Sequence, residues 1–214
     1  MRNVKTSLQA KILSEFDRML KVVSLPPEPP TIKTPLSQKV YVHTDPLELK
    51  QTQGLMRINH TGEICAQALY FGQALFAKDA KTHAHLIGAA SEEHDHLYWC
   101  QECLDDLGTQ ASALNYFWYS QSFLLGAFAA LFGDKTSYGF VIEIEKQVEE
   151  HLQEHLTIIS KKDIKTQAIL KKMQEDEIRH GQQARAAGGV ELPNAIKKAM
   201  GAMSKFMKFL VYRI

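Results

Sequence analysis

Apolar residues return every three or four positions through most of this chain, and the breaks in that period divide it into elements. Leu8, Ile12, Phe16, Met19 and Val23 mark a short amphipathic helix. From Leu25 to Pro35 the five prolines Pro26, Pro27, Pro29, Pro30 and Pro35 remove backbone donors, so the helix gives way to an extended tether. The helical period resumes at Thr44 or Asp45, a capping side chain ahead of Pro46. It is expected to run to about Ala77, with Leu55, Ile58, Ala66, Leu69 and Leu75 inside. Further helices are expected from about Lys81 to Leu107, from about Lys135 to Ser160 along Val141, Ile144, Val148 and Leu152, and from about Asp163 to Ala187. Gly108 and Gly188-Gly189 stand where two of them should stop.

Two stretches ask for a different surface. Between Asp106 and Asp134 no acid or base interrupts the chain, and Leu114 to Phe132 is apolar enough in length to reach across a bilayer. Tyr116, Phe117, Trp118 and Tyr119 resemble an interfacial belt, yet Asn115, Ser120, Gln121 and Ser122 make a poor lipid-facing span. After Pro193, a helix within 193–214 sets Ile196, Met200, Met203, Phe206, Met207 and Leu210 against Lys197, Lys198, Lys205, Lys208 and Arg213. That pattern suits an anionic membrane surface or a cap on a bundle.

Composition narrows the class. A chain of 214 residues, 45% hydrophobic, can bury one core, so the expected organisation is an N-terminal helix and tether over 1–38 and one domain over 39–214, with a crossover at 109–134. A net charge of +1 with no basic run interleaved with aromatics argues against nucleic acid as a partner. Three cysteines do not make a disulfide framework, and Cys100-x-x-Cys103 reads as two small apolar thiols on one helix face. Met1 to Val23 carries charges throughout and lacks the apolar core of a secretory leader.

The chemistry lies in a repeated pattern. Glu63 is followed by Glu93-x-x-His96, then Glu145 by Glu177-x-x-His180, at intervals of 30 and 32 residues from lone glutamate to pair. Three positions is nearly one helical turn, so each Glu and His project from one face and can hold one ion. Glu from two helices with Glu-x-x-His from two others is the ligand set of ferritin-like bundles with two iron or manganese ions. Four carboxylates cancel the charge of two divalent ions, and this oxygen-rich set suits iron better than structural zinc. The expected fold is therefore all-α: a ferritin-like four-helix bundle with a hydrophobic crossover helix and flanking N- and C-terminal amphipathic helices. A crossover through the bilayer would put Glu63, Glu93 and His96 on one side and Glu145, Glu177 and His180 on the other, so the segment must lie on the bundle or dip into one leaflet.

Neighbouring residues are weaker candidates. His60 is expected in an outer layer or at the surface, and His94 turns away from the Glu93 face. His151 and His155 read as outer-layer donors or exposed groups, Glu150 and Glu154 as solvated, and Glu175 and Asp176 likewise. Gly62 either permits close backbone approach beside Glu63 or is simply tolerated.

With these residues in place, the chain resembles the di-iron demethoxyubiquinone hydroxylases of ubiquinone biosynthesis. The resemblance rests on Arg57-Ile58-Asn59-His60-Thr61-Gly62-Glu63, Glu93-His94-Asp95-His96-Leu97, Glu145 to His151, and Asp176-Glu177-Ile178-Arg179-His180, and it covers about Asp45 to Gly189. It implies two iron ions per chain, one on Glu63, Glu93 and His96, the other on Glu145, Glu177 and His180, with Glu93 and Glu177 bridging. It also implies a monooxygenase that uses O2 and an electron donor, either NADH or a reductase, to hydroxylate the ring of a polyprenylated demethoxyquinone. Such a protein would sit peripherally on the cytoplasmic face of a bacterial cell membrane, or on the inner mitochondrial membrane, alone, with a lipid-binding partner or as a homo-oligomer. The alternatives are a ferritin-like iron-storage or peroxide-handling protein and a membrane-surface scaffold whose acidic helices only form ion pairs.

Overall fold

The computed structural model describes residues 8–24, 26–36, 41 and 43–214, with the side chains of Leu8, Gln9, Lys11 and Ile12 outside the described set. Of the reading made on Met1 to Val23, the part on residues 1–7 lies outside the described residues, as does the 38/39 boundary. Seven helices and no strand occur among them: α1 Leu8–Ser24, α2 Pro46–Phe76, α3 Ala80–Asp106, α4 Asn115–Leu131, α5 Asp134–Ile158, α6 Ile164–Ala186 and α7 Asn194–Val211.

Local chemistry accounts for the ends. Asp45 accepts a hydrogen bond from the Leu47 amide at 2.8 Å with Pro46 in the first turn, and Asp79 and Asp163 cap α3 and α6 in the same way. Gly108 (φ 63°) and Gly188 (φ 91°) close α3 and α6 in the left-handed region, where a Cβ would be strained. Each lets the following amide reach back to the helix, Thr109 to the Leu104 carbonyl and Gly189 to the Ala184 carbonyl.

Short connections make two hairpins, α2 with α3 and α5 with α6, which pack across one another through α2 on α5 and α3 on α6. The long connection is α4, laid along α2. It fits because both backbones lack side chains where they cross: a Cβ on Gly72 would overlap the Phe123 carbonyl, and one on Gly126 would overlap the Leu69 carbonyl. A buried bond from the Thr61 hydroxyl to Asn115 Oδ1, 2.7 Å, pins the start of α4 beside the metal-ligand candidates. No described helix is long and apolar enough to cross a membrane.

The core is split along the bundle. One apolar cluster gathers Met56, Trp99, Leu104, Leu152, Leu170 and Met173, with Cys100 and Cys103 inside it. Burial pushes the Cys103 thiol up to about 12 and Cys100 well above its usual range, which leaves both unreactive packing groups. A second cluster holds Tyr70, Leu86, Tyr138, Val141 and Ala184. On every bundle helix the Glu or His candidates fall between the residues of these two clusters, so the apolar ends hold a polar centre shut.

Candidate metal centre

Glu63, Glu93, His96, Glu145, Glu177 and His180 are all brought to that centre, each no more than 2% exposed. Their ligand atoms form two overlapping groups. Glu63, Glu93, His96 and Glu177 make one, Glu93, Glu145, Glu177 and His180 the other, and within each the atoms lie within 4.8 Å of one another. His96 Nδ1 stands 3.0 Å from Glu93, 3.4 Å from Glu177 and 3.6 Å from Glu63; His180 Nδ1 stands 3.1 Å from Glu93 and 3.3 Å from Glu177. Glu93 and Glu177 belong to both groups, as carboxylates shared between two ions would.

Four carboxylates this close and this deep cannot all stay charged without cations. Burial, reinforced by neighbouring carboxylates, pushes Glu63 and Glu145 well above the usual carboxylate range. Burial works to lower both imidazoles, but the carboxylates around them outweigh it: Glu177 and Glu93 raise His180 to about 12, and His96 is raised as well. Protons thus balance the charge in the protein alone, and two divalent ions would replace them. Glu145 Oε2, buried, has no hydrogen-bond donor of its own, which is what a carboxylate kept for a cation requires. The donor set fits iron.

The far sides of the imidazoles are held crosswise. His96 Nε2 lies 3.2 Å from Asp176 on α6, and His180 Nε2 lies 3.1 Å from Glu92 on α3. Arg179 ties the two carboxylates together, donating to Glu92 at 2.7 Å and to Asp176 at 2.8 Å, while Lys172 adds a second cation on Asp176 at 2.6 Å. Burial would raise Asp176, but the bonds from His96, Arg179 and Lys172 hold it below the usual carboxylate range. Tyr70 donates its hydroxyl to Glu145. A carboxylate behind a metal-binding imidazole fixes the ring and its tautomer.

Several expectations need correction. Asp176, read as solvated, is 5% exposed and orients His96; an acidic residue on a charged helix face looks solvated until another helix lies against it. Glu92 and Tyr70 were missed. The signal for Glu92 was available, since an acidic residue precedes the shared glutamate in both halves, Glu92-Glu93 and Asp176-Glu177. For His60, His151 and His155 burial removes the exposed alternative and leaves the outer-layer one, with His155 Nδ1 2.8 Å from Asn59 Oδ1. Glu150, Glu154 and Glu175 are exposed as expected. Leu75 is only partly buried. Gly62 admits no close backbone: nothing lies within 4 Å of a Cβ placed there.

That open side faces a cavity of about 250 Å³ between α2, α4, α5 and α7. Gly62 and Ala66 flank Glu63, and Ile144 and Val148 flank Glu145, so the cavity lies one layer of side chains from the metal-ligand candidates. Trp118, Leu125, Met203 and Met207 form its outer wall, and Gln147, His151 and Ser204 are among its few polar groups.

A helical bundle burying two overlapping Glu/His groups, with a separate apolar cavity beside them, defines the class of carboxylate-rich helical-bundle proteins able to hold a pair of metal ions. Sequence comparison gives the finer assignment. The family described as "Ubiquinone biosynthesis protein COQ7" matches residues 50–210, and this chain belongs to it. It is 49% identical to the 3-demethoxyubiquinol 3-hydroxylase of Legionella pneumophila (strain Paris) over 210 residues, 98% of this chain and 99% of the relative. It is 47% identical to the protein of the same name from Xanthomonas oryzae pv. oryzae (strain PXO99A) over 204 residues, 95% and 94% of the two chains.

Proposed function

We propose that this chain is a 3-demethoxyubiquinol 3-hydroxylase that holds two iron ions and uses O2 to add one hydroxyl group to the ring of a polyprenylated quinol. The observation that carries the reading is the pairing of two Glu/His groups sharing Glu93 and Glu177 with an apolar cavity one side-chain layer away. Glu63, Glu93 and His96 would hold one ion, Glu145, Glu177 and His180 the other, with Glu93 and Glu177 between them. When bound and reduced, the iron pair supplies the oxygen activation that Glu and His side chains lack.

The chain supplies the rest. Asp176 and Glu92 hold the imidazoles in one orientation, and Tyr70 fixes the Glu145 carboxylate by donating to it. Ala66, Leu69, Ile144 and Val148 line a cavity that excludes water and accepts a ring. Gln147, His151 and Ser204 offer hydrogen bonds to its oxygens. Reducing equivalents come from NADH or a separate reductase.

A substrate with a polyprenyl tail lives in a bilayer, and the cavity opens between the helices that suit one. On α4, Phe117, Leu124, Phe128 and Leu131 are each more than half exposed, as is Phe132 at its C-cap, and on α7 Met203, Phe206 and Phe209 are too. The aromatic run divides on the helix: Tyr116 and Phe117 face outward, whereas Trp118 and Tyr119, each 2% exposed, pack inward. In this reading α4 and α7 rest on the cytoplasmic leaflet as a peripheral contact, with Lys198 and Lys205 near anionic headgroups.

The test is aerobic incubation of the iron-loaded protein with a short-tailed demethoxyquinol, a reductant and 18O2, followed by mass spectrometry. One labelled oxygen in the ring is expected. No product, with steady oxidation and accumulation of added ferrous iron, would replace the hydroxylase reading with iron storage.

A further inference from the structure

The family match begins at residue 50, so α1 and the Pro-rich tether precede the part of the chain it covers. They are nevertheless bound to it in two places. The tether follows α3: buried Asp95 accepts the Thr31 and Ile32 amides at 2.8 and 2.9 Å, Trp99 Nε1 donates to the Ile32 carbonyl at 3.2 Å, and His94 Nε2 lies 3.0 Å from the Glu28 carbonyl. Helix α1 then lies beside α4, with Met19, Val22 and Val23 packed against Tyr119, Phe123, Leu97 and Ala68.

The contact between α1 and α4 leaves a groove of about 370 Å³, apolar apart from Glu15 and Ser120 and lined by Phe16, Met19, Leu75, Tyr119, Phe123 and Leu124. It lies on the opposite flank of α4 from the reaction cavity, which uses Trp118, Ser122 and Leu125. Phe16 is 53% and Leu124 60% exposed, so the groove opens onto the outward apolar stripe of α4, and Leu13, at 70%, extends that surface along α1. Tyr119 lines the groove with its hydroxyl buried and unpartnered.

We propose that this groove takes one acyl chain of a membrane phospholipid, which makes α1 the third helix of the membrane face. The inference rests on the bilayer contact proposed above for α4 and α7. The groove is continuous with that surface, and an ester oxygen would give the Tyr119 hydroxyl the acceptor it lacks. The substrate's own tail is a poorer occupant. Its ring would sit on the other flank, and the backbone contact of α4 with α2 at Gly72 and Gly126 leaves no passage beneath the helix.

The experiment uses the full-length, iron-loaded protein on vesicles of phosphatidylcholine and phosphatidylglycerol doped with a phosphatidylcholine that carries a diazirine on one acyl chain. Photolysis and peptide mapping should place label on Phe16, Met19, Leu75 or Phe123. Met19→Trp or Leu124→Trp, either of which fills the groove, should reduce that label to background while flotation and label on α7 persist. Flotation with label confined to α7 and the outer stripe of α4 would overturn the groove proposal alone. Loss of groove label on adding long-tailed demethoxyquinol would make the substrate tail the occupant. Absence of flotation would overturn the membrane contact and this inference with it.

Discussion

Gly62 separates the stability of the bundle from the use of its cavity. It lies inside α2, one residue before Glu63, and a Cβ built there meets nothing within 4 Å. A glycine inside a helix costs about 1 kcal/mol relative to alanine, because the unfolded chain has more freedom to lose. With no steric charge against it, Gly62→Ala should recover about 1 kcal/mol, which for a chain of this length raises Tm by about 2–4 °C. Gly62→Leu should keep most of that gain and place an isobutyl group in a cavity of about 250 Å³ that the quinol ring must share. The expected outcome is a protein at least as stable as the parent, with full iron content, whose kcat/KM for demethoxyquinol falls roughly tenfold or more, a loss of about 1.4 kcal/mol in transition-state stabilisation. Thermal denaturation, metal analysis and product formation by mass spectrometry measure the three quantities. Unchanged kcat/KM in Gly62→Leu would show that substrate does not use this cavity, and a lower Tm in Gly62→Ala would show that the helix needs glycine there.

Other perturbations test the centre and its supports. Glu177→Ala removes a carboxylate common to both groups and should leave nearly no iron, whereas Glu63→Ala touches one group and should leave about one ion per chain; equal losses would refute the shared role. Asp176→Ala and Glu92→Ala should each weaken metal retention by about 10–100-fold in a chelator competition while helix content by circular dichroism is kept, and unaltered retention would reduce these carboxylates to ion-pair partners. Burial lowers His60 and His155 to about 4, against 6.5 for a free imidazole. Between those values the unfolded chain binds protons that the folded one refuses, so their contribution is fully present above pH 6.5 and is lost as the pH falls towards 4. The full loss, complete only below about pH 4, is on the order of 3 kcal/mol per histidine, and about 2 kcal/mol of it falls between pH 7 and pH 5, where denaturant unfolding should show it. His155→Gln should flatten the dependence, and a parallel profile would assign the acid sensitivity elsewhere.

Helical period and capping chemistry made much of this molecule legible in one dimension. The starts of α2, α3, α6 and α7 and the ends of α3 and α6 fall at Asp45-Pro46, Asp79, Asp163, Pro193, Gly108 and Gly188, because each acts on its own backbone within a turn. The six residues now at the centre were recognisable for the same reason. Glu-x-x-His presents two donors on one face whatever lies opposite, and its recurrence at nearly equal spacing implies two hairpins meeting at one level. Even the direction of the crossover followed, since a centre drawn from both halves cannot be split by a bilayer.

Only the tertiary structure decided what faces each helix. Asp176 and Glu150 are both acids on helices, yet one orients an imidazole across the bundle and the other stays exposed beside Lys146, because α3 lies against the first and the second faces an open cleft. Trp118 and Tyr119 look like companions of Phe117 but are drawn inward by α7 and α1. Asp95 sits one residue from His96 and serves the tether rather than the centre, a role set by backbone amides more than sixty residues earlier in the chain. Periodicity reports which residues share a face, while burial, partner and open space depend on a second surface whose distance along the chain no local pattern encodes.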